Sequence, residues 1–143
     1  MIAVLVSTHG PMANSIIESA EMICGKQTQC EAVPFLTEQS LDDFQQQIEQ
    51  TLTMLTQEGQ TLLCFVDLKG GTPFNTLTRL MANYPNLEIV TGVNIPMLLA
   101  TFMLRTQMAL DDLLPELMQT AQQSIEHYNI VSMTSSIIED EEF

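Results

Sequence analysis

Basic side chains are scarce in this sequence. Its 143 residues include only four, Lys26, Lys69, Arg79 and Arg105, against eighteen acidic ones, for a formal net charge of −14. That balance lacks the cationic footprint that a nucleic-acid backbone or an anionic lipid surface requires, so both are disfavoured as partners. No stretch reaches the roughly 18 uncharged apolar residues of a membrane-spanning helix. The best candidate, Ile95 to Leu104, is short and contains Pro96. The N-terminus has neither a basic region nor a long apolar core, so no signal peptide is expected. The cysteines, Cys24, Cys30 and Cys64, are odd in number, lack metal-ligand spacing and fall in runs expected to be buried. They read as thiols of a reducing compartment. The Gly-x-Gly-x-x-Gly pattern of dinucleotide-binding folds is missing too.

What is present is a core. Apolar residues make up 45% of the chain, and no Pro/Gly/Ser-rich linker divides it. One domain is expected over residues 1–133, followed by an acidic tail over 134–143 that carries the Glu139-Asp140-Glu141-Glu142 charge run. Ile2 to Ser7, Thr61 to Val66 and Leu87 to Thr91 read as strands, the first two apolar almost throughout. Glu31 to Leu36, interrupted by Pro34, reads as a strand at a sheet edge. Helical periodicity places Met12, Ile16, Ala20, Ile23 and Cys24 on one face of a first helix that Gly25 stops. Leu41, Phe44, Ile48, Leu52 and Leu55 mark a second helix, with Ser40 as N-cap. Thr72 is expected to cap a third helix that opens at Pro73 and buries Phe74, Leu77, Leu80 and Met81. A fourth helix opens at Pro96 and a fifth at Asp111 or Asp112, and Asn129 to Met133 reads as a last short strand. Strand and helix alternate, and the strands are apolar on both faces. The expected fold is therefore α/β, a doubly wound, mainly parallel sheet of four strands flanked by helices.

In such a sheet, ligands bind beyond the carboxyl ends of the strands. Three unusual loops fall there: Ser7-Thr8-His9-Gly10-Pro11, Asp67-Leu68-Lys69-Gly70-Gly71-Thr72-Pro73 and Gly92-Val93-Asn94-Ile95-Pro96. The chain has only one other histidine, His127. A metal site is disfavoured, because one His and one Asp make a poor ligand set. A general base lacks a nucleophile in a suitable turn. As a nucleophile, His9 can take a phosphoryl group on one ring nitrogen while an acceptor fixes the other, and Asp67 is the only acidic residue in these loops to serve. Gly70 and Gly71 permit a tight turn with inward N–H groups. Thr72 and Thr8 offer hydroxyls to phosphate oxygens, and Gly10 belongs to the same active-site loop as His9. Taken one at a time, each has an ordinary reading as a loop histidine or a loop-to-helix turn. Their convergence on one edge favours phosphate chemistry.

Thr8-His9-Gly10 after an N-terminal strand, Val66-Asp67-Leu68-Lys69-Gly70-Gly71-Thr72-Pro73-Phe74-Asn75 and Gly92-Val93-Asn94-Ile95-Pro96-Met97 together resemble the enzyme IIA domain of the mannose family of the bacterial sugar phosphotransferase system. The resemblance covers nearly the whole chain up to about Met133. It implies that His9 accepts a phosphoryl group from the histidine-containing phosphocarrier protein and passes it to a histidine of the IIB component, with membrane IIC and IID components involved only indirectly. It implies that Asp67 holds the imidazole and that no metal or cofactor takes part. It further implies a cytoplasmic homodimer in which the C-terminal strand, here Asn129 to Met133, is exchanged between subunits. Met12, Leu68, Phe74 and Met97 are candidate partner contacts, the last two better suited to core packing. Two other roles stay open on sequence. One is a phosphoryl donor to a dihydroxyacetone kinase, and the other is a non-enzymatic regulatory domain that binds a small anion or nucleotide.

Overall fold

A computed structural model describes residues 1–134. The elements run β1 (Ala3–Ser7), α1 (Met12–Cys24), β2 (Cys30–Ala32), α2 (Leu41–Leu55), β3 (Leu62–Val66), α3 (Thr72–Leu80), β4 (Leu87–Thr91), α4 (Ile95–Leu104) and α5 (Leu110–Gln123). The four strands form one sheet in the order β2-β1-β3-β4, and every pair is parallel. This is the doubly wound α/β sheet expected from the apolar strands, with β2 at an edge.

β1 and β3 alternate their side chains between two cores, which is why β3 is apolar at every position and β1 at every position but Ser7, whose hydroxyl donates to Val33 O at 2.7 Å. Val4, Val6, Leu63 and Phe65 face a core built with α1, α4 and α5. Ala3, Leu5, Leu62 and Cys64 face the other, where Phe44, Ile48 and Leu52 of α2 and Leu77 of α3 pack. Fully burying a side chain such as Phe44 contributes about 1.5–3 kcal/mol, so the two layers hold the sheet from both sides.

Helix boundaries follow local chemistry. The Ser40 side chain accepts the Asp43 N–H at 3.0 Å and caps α2, and Asn94 Oδ1 accepts the Met97 N–H at 3.0 Å and caps α4. At α3 the expectation fails by one residue. Gly71 is the N-cap, in extended backbone, and Thr72 is already helical. The buried face of α1 is also turned from the expected one. Ala13, Ile16, Ile17 and Ala20 are buried, while Met12 and Ile23 lie on the flank and are exposed. Met81, expected in the stripe of α3, leaves it in a short 3-10 turn and is exposed as well.

The last strand expected over Asn129 to Met133 is not formed. Residues 130–134 are helical. Asn129 Oδ1 accepts the Ser132 N–H at 2.9 Å, Asn129 O accepts the Met133 N–H at 3.0 Å, and Thr134 Oγ1 donates to Ile130 O at 2.8 Å. Ile130 and Val131 favour a strand, but the Asn cap in front of them wins locally. The acidic tail expected over 134–143 lies outside the described residues, apart from residue 134 itself.

Arg105 carries weight that the sequence reading missed. It is almost fully buried after the end of α4. Nη1 donates to Ile2 O and Gln29 O, each at 3.0 Å, and Nη2 donates to Gln27 Oε1 at 3.0 Å and to Thr28 O. The guanidinium fork thus ties the start of β1 to the turn that leads into β2.

Candidate active site

The first crossover leads from β1 outward to β2, and the later ones build on the other side, through β3 to β4. The switch point therefore lies between β1 and β3. Ser7 pairs with Val66 at the carboxyl ends of these two strands. His9 follows Ser7 by two residues and Asp67 follows Val66 by one, so the register delivers both to the same crevice.

His9 Nδ1 lies 2.8 Å from Asp67 Oδ2, and the His9 backbone N–H donates to the same oxygen at 2.9 Å. The Leu68 N–H donates to Asp67 Oδ1 at 3.0 Å. Partial burial pushes the Asp67 carboxyl up, but the two hydrogen bonds from His9, its charge and the Leu68 N–H outweigh it and hold the group below the ordinary carboxylate range. An ionised carboxylate only accepts, so the neutral ring carries its proton on Nδ1 and leaves a lone pair on Nε2. Nε2 has no hydrogen-bond partner among the described residues. The His9 side chain is 45% exposed against 16% for Asp67, which leaves the ring open to an incoming group while its anchor is shielded.

Two further walls hold the ring. Phe35 meets it edge-on, with centroids 6.2 Å apart and planes at 73°. Phe35 is itself seated against Phe44 of α2, 4.9 Å between centroids. Backbone pairing continues past β2 to bring it there: the Phe35 N–H donates to Thr8 O and the Gly10 N–H to Phe35 O, each at 2.8 Å. Gly71 lies against the ring as well, so close that a Cβ at this position would fall 2.6 Å from His9 Cε1. Sequence reasoning placed Phe35 in a strand and gave it no part in the site. Its contact with His9 spans 26 positions of chain, and no local pattern signals it.

The remaining expected residues fall around this centre in different ways. Gly10 has φ +64, the left-handed turn that lets the chain leave β1 beside the ring. Thr8 is fully buried, with Oγ1 3.5 Å from Gly10 O, so its hydroxyl faces the turn. Asn75 Nδ2 donates to Gly70 O at 3.0 Å and pins the glycine loop to α3. Thr72 is half-buried at the first position of α3. The third loop reaches the same edge, where the Val93 N–H donates to Val66 O at 3.1 Å. It makes no hydrogen bond to His9 or Asp67 among the described residues. Within those residues, no three His, Cys, Asp or Glu side chains converge as a metal-binding group would require.

The fold has known counterparts. The family model described as "PTS system fructose IIA component", a phosphotransferase system family, matches residues 3–118. The chain belongs to this family, the mannose-type IIA components. It is 36% identical over 126 residues to the "PTS system fructose-specific EIIA component" of Bacillus subtilis, covering 88% of this chain and 86% of that protein. It is 34% identical over 105 residues to the "PTS system mannose-specific EIIAB component" of Escherichia coli K12, covering 73% of this chain but only 32% of that longer protein. The crystal structure of a phosphotransferase system EIIA component from Streptococcus agalactiae superposes with a TM-score of 0.78 at 27% identity, covering 89% of this chain and 97% of that one.

In this IIA component the rim of the crevice is partly apolar. Met12 and Leu68 are exposed there, whereas Met97 is buried and Phe74 packs against the core. Of the four candidate partner contacts, the first two are therefore on the surface. No helix among the described residues is long and apolar enough to cross a membrane.

Proposed function

We propose that this IIA component is a phosphoryl relay, with Nε2 of His9 as the atom that carries the phosphate. The lone pair on Nε2 attacks the phosphorus of a phosphohistidine on the histidine-containing phosphocarrier protein. The new N–P bond forms as the donor's N–P bond breaks, and the donor imidazole keeps the electron pair. The His9 ring becomes cationic, and Asp67 stabilises that charge through Nδ1–H. A histidine of the IIB component then repeats the displacement and restores neutral His9. The observation that carries this reading is the 2.8 Å contact between His9 Nδ1 and Asp67 Oδ2, which commits one ring nitrogen and frees the other. The N-terminus of α3 beside the ring offsets phosphate charge by about 0.3–1 kcal/mol.

Thr72 and the N–H groups of the Gly70-Gly71 loop are the groups we assign to the phosphate oxygens. Thr8 and Gly10 shape the turn that aims the ring. A dihydroxyacetone kinase as acceptor would use the same chemistry at His9. The fructose- and mannose-specific names of the relatives support a IIB acceptor instead. We place the protein in the cytoplasm as a homodimer, with Ile125, Tyr128, Ile130 and Val131, all exposed beyond α5, as the apolar surface that pairs. Free thiols at Cys24, Cys30 and Cys64 agree with a reducing compartment. The experiment is to mix the protein with phosphorylated phosphocarrier and map acid-labile phosphate by mass spectrometry. Label on His9, lost in His9→Ala, is the expected result.

A further inference from the structure

The two glycines of the loop after β3 answer different demands. Gly70 has φ +87, in the left-handed region where side chains are strained. Gly71 has φ −78 and ψ 173, extended backbone open to any residue. Its lack of a side chain therefore has no backbone cause, and the cause lies in the neighbouring ring. A Cβ on Gly71 would stand 2.6 Å from His9 Cε1, 3.3 Å from Nε2 and 3.7 Å from Nδ1. Carbon atoms in contact sit about 3.5–4.0 Å apart, so the first distance is a clash.

The ring has little freedom to evade it. Asp67 grips Nδ1 at 2.8 Å, Phe35 flanks the ring, and the His9 backbone N–H is bonded to the same carboxylate. The loop is equally constrained, since Asn75 Nδ2 holds Gly70 O and the Asn75 N–H donates to Gly71 O at 2.9 Å. A methyl group at position 71 must either lift the imidazole off Asp67 or unseat the first turn of α3.

We propose that Gly71 is a positioning residue for His9. The empty space over its Cα is a slot that lets the imidazole keep Asp67 on Nδ1 while Nε2 lies beside the N-terminus of α3. The catalytic consequence rests on the relay function proposed above, whereas the coupling between residue 71 and the ring stands independently of it.

The test is a double-mutant cycle on the full chain. Gly71→Ala is expected to lower Tm in the parent and to lower it much less in a His9→Ala background, where the ring is gone. Gly70→Ala, strained through its φ, is expected to cost the same in both. In the ¹⁵N spectrum of Gly71→Ala, the shift difference between the two His9 ring nitrogens should shrink as the fixed tautomer is lost. The kcat for phosphoryl uptake should fall by up to roughly 100-fold with KM little changed, because Met12 and Leu68 are untouched. If Gly71→Ala does not fold, refolding of the His9→Ala/Gly71→Ala double variant supports the slot, and its failure to fold overturns it. Equal Tm losses in both backgrounds, or ring shifts and kcat like the parent's, overturn the proposal. A parent that takes no phosphate on His9 but retains the coupling removes the relay function and leaves the slot standing.

Discussion

Asp67 accepts three hydrogen bonds, two of them from His9, and so has two separable effects. Its carboxyl sits below the ordinary carboxylate range in the folded chain. A depressed acid contributes stability above its unfolded pKa and loses it as pH falls through the folded value. Asp67→Asn should therefore lower stability at neutral pH, and the difference from the parent should vanish in strong acid, as denaturant melts across pH would record. In phosphoryl uptake, Asp67→Ala should keep the fold but slow transfer by roughly 10–100-fold, measured by rapid quench. A parent-like rate would remove Asp67 from the mechanism. The pairing of these residues was legible because the three loops singled out after β1, β3 and β4 offer few alternatives: His9 is their only histidine and Asp67 their only acid. Phe35 was not legible, since a T-shaped contact between residues beyond the ends of β1 and β2 leaves no local mark. Thr72 was misplaced by one position because Ser/Thr at a cap is the usual reading, while here the imidazole demands glycine at the cap position.

The strands were readable from composition alone, since β1 and β3 are buried on both faces and are therefore apolar almost throughout, Ser7 at the end of β1 excepted. Elements that depend on tertiary contact were less so. The face of α1 is set by what α4 and the sheet leave open, and the sequence period did not separate Met12 and Ile23 on the flank from the buried stripe. At 129–133 a local Asn cap outweighed two β-branched residues. Arg105 belongs to this scale, because it joins elements. It holds the backbone of Ile2, Thr28 and Gln29 and the side chain of Gln27, and its removal takes the guanidinium donors from the buried Ile2 carbonyl and from Thr28 O, while Gln29 O keeps the Val4 N–H. Arg105→Leu should cost about 3–5 kcal/mol of stability in denaturant melts. Arg105→Lys should recover little of it, because an ammonium cannot reach both sets of carbonyls as the fork does. Phosphoryl uptake by the folded fraction should be unaffected, since this clamp lies at the opposite end of the sheet from His9.

At the scale of the molecule, a net charge of −14 surrounds a crevice whose exposed rim includes Met12 and Leu68. A partner that presents arginine or lysine around its own histidine is steered by that field. The second-order rate of transfer should accordingly fall as ionic strength rises, while kcat changes little. The parallel sheet, the switch point and the two core layers serve one end: they bring the residues after β1 and β3 within hydrogen-bond distance and leave one nitrogen free. NMR of the ¹⁵N-labelled protein, phosphorylated by its phosphocarrier, tests that claim most directly. The account predicts a single phosphoryl group bonded to Nε2 of His9, with Nδ1 still protonated toward Asp67. Phosphate on Nδ1, on another residue, or no phosphate at all would contradict it.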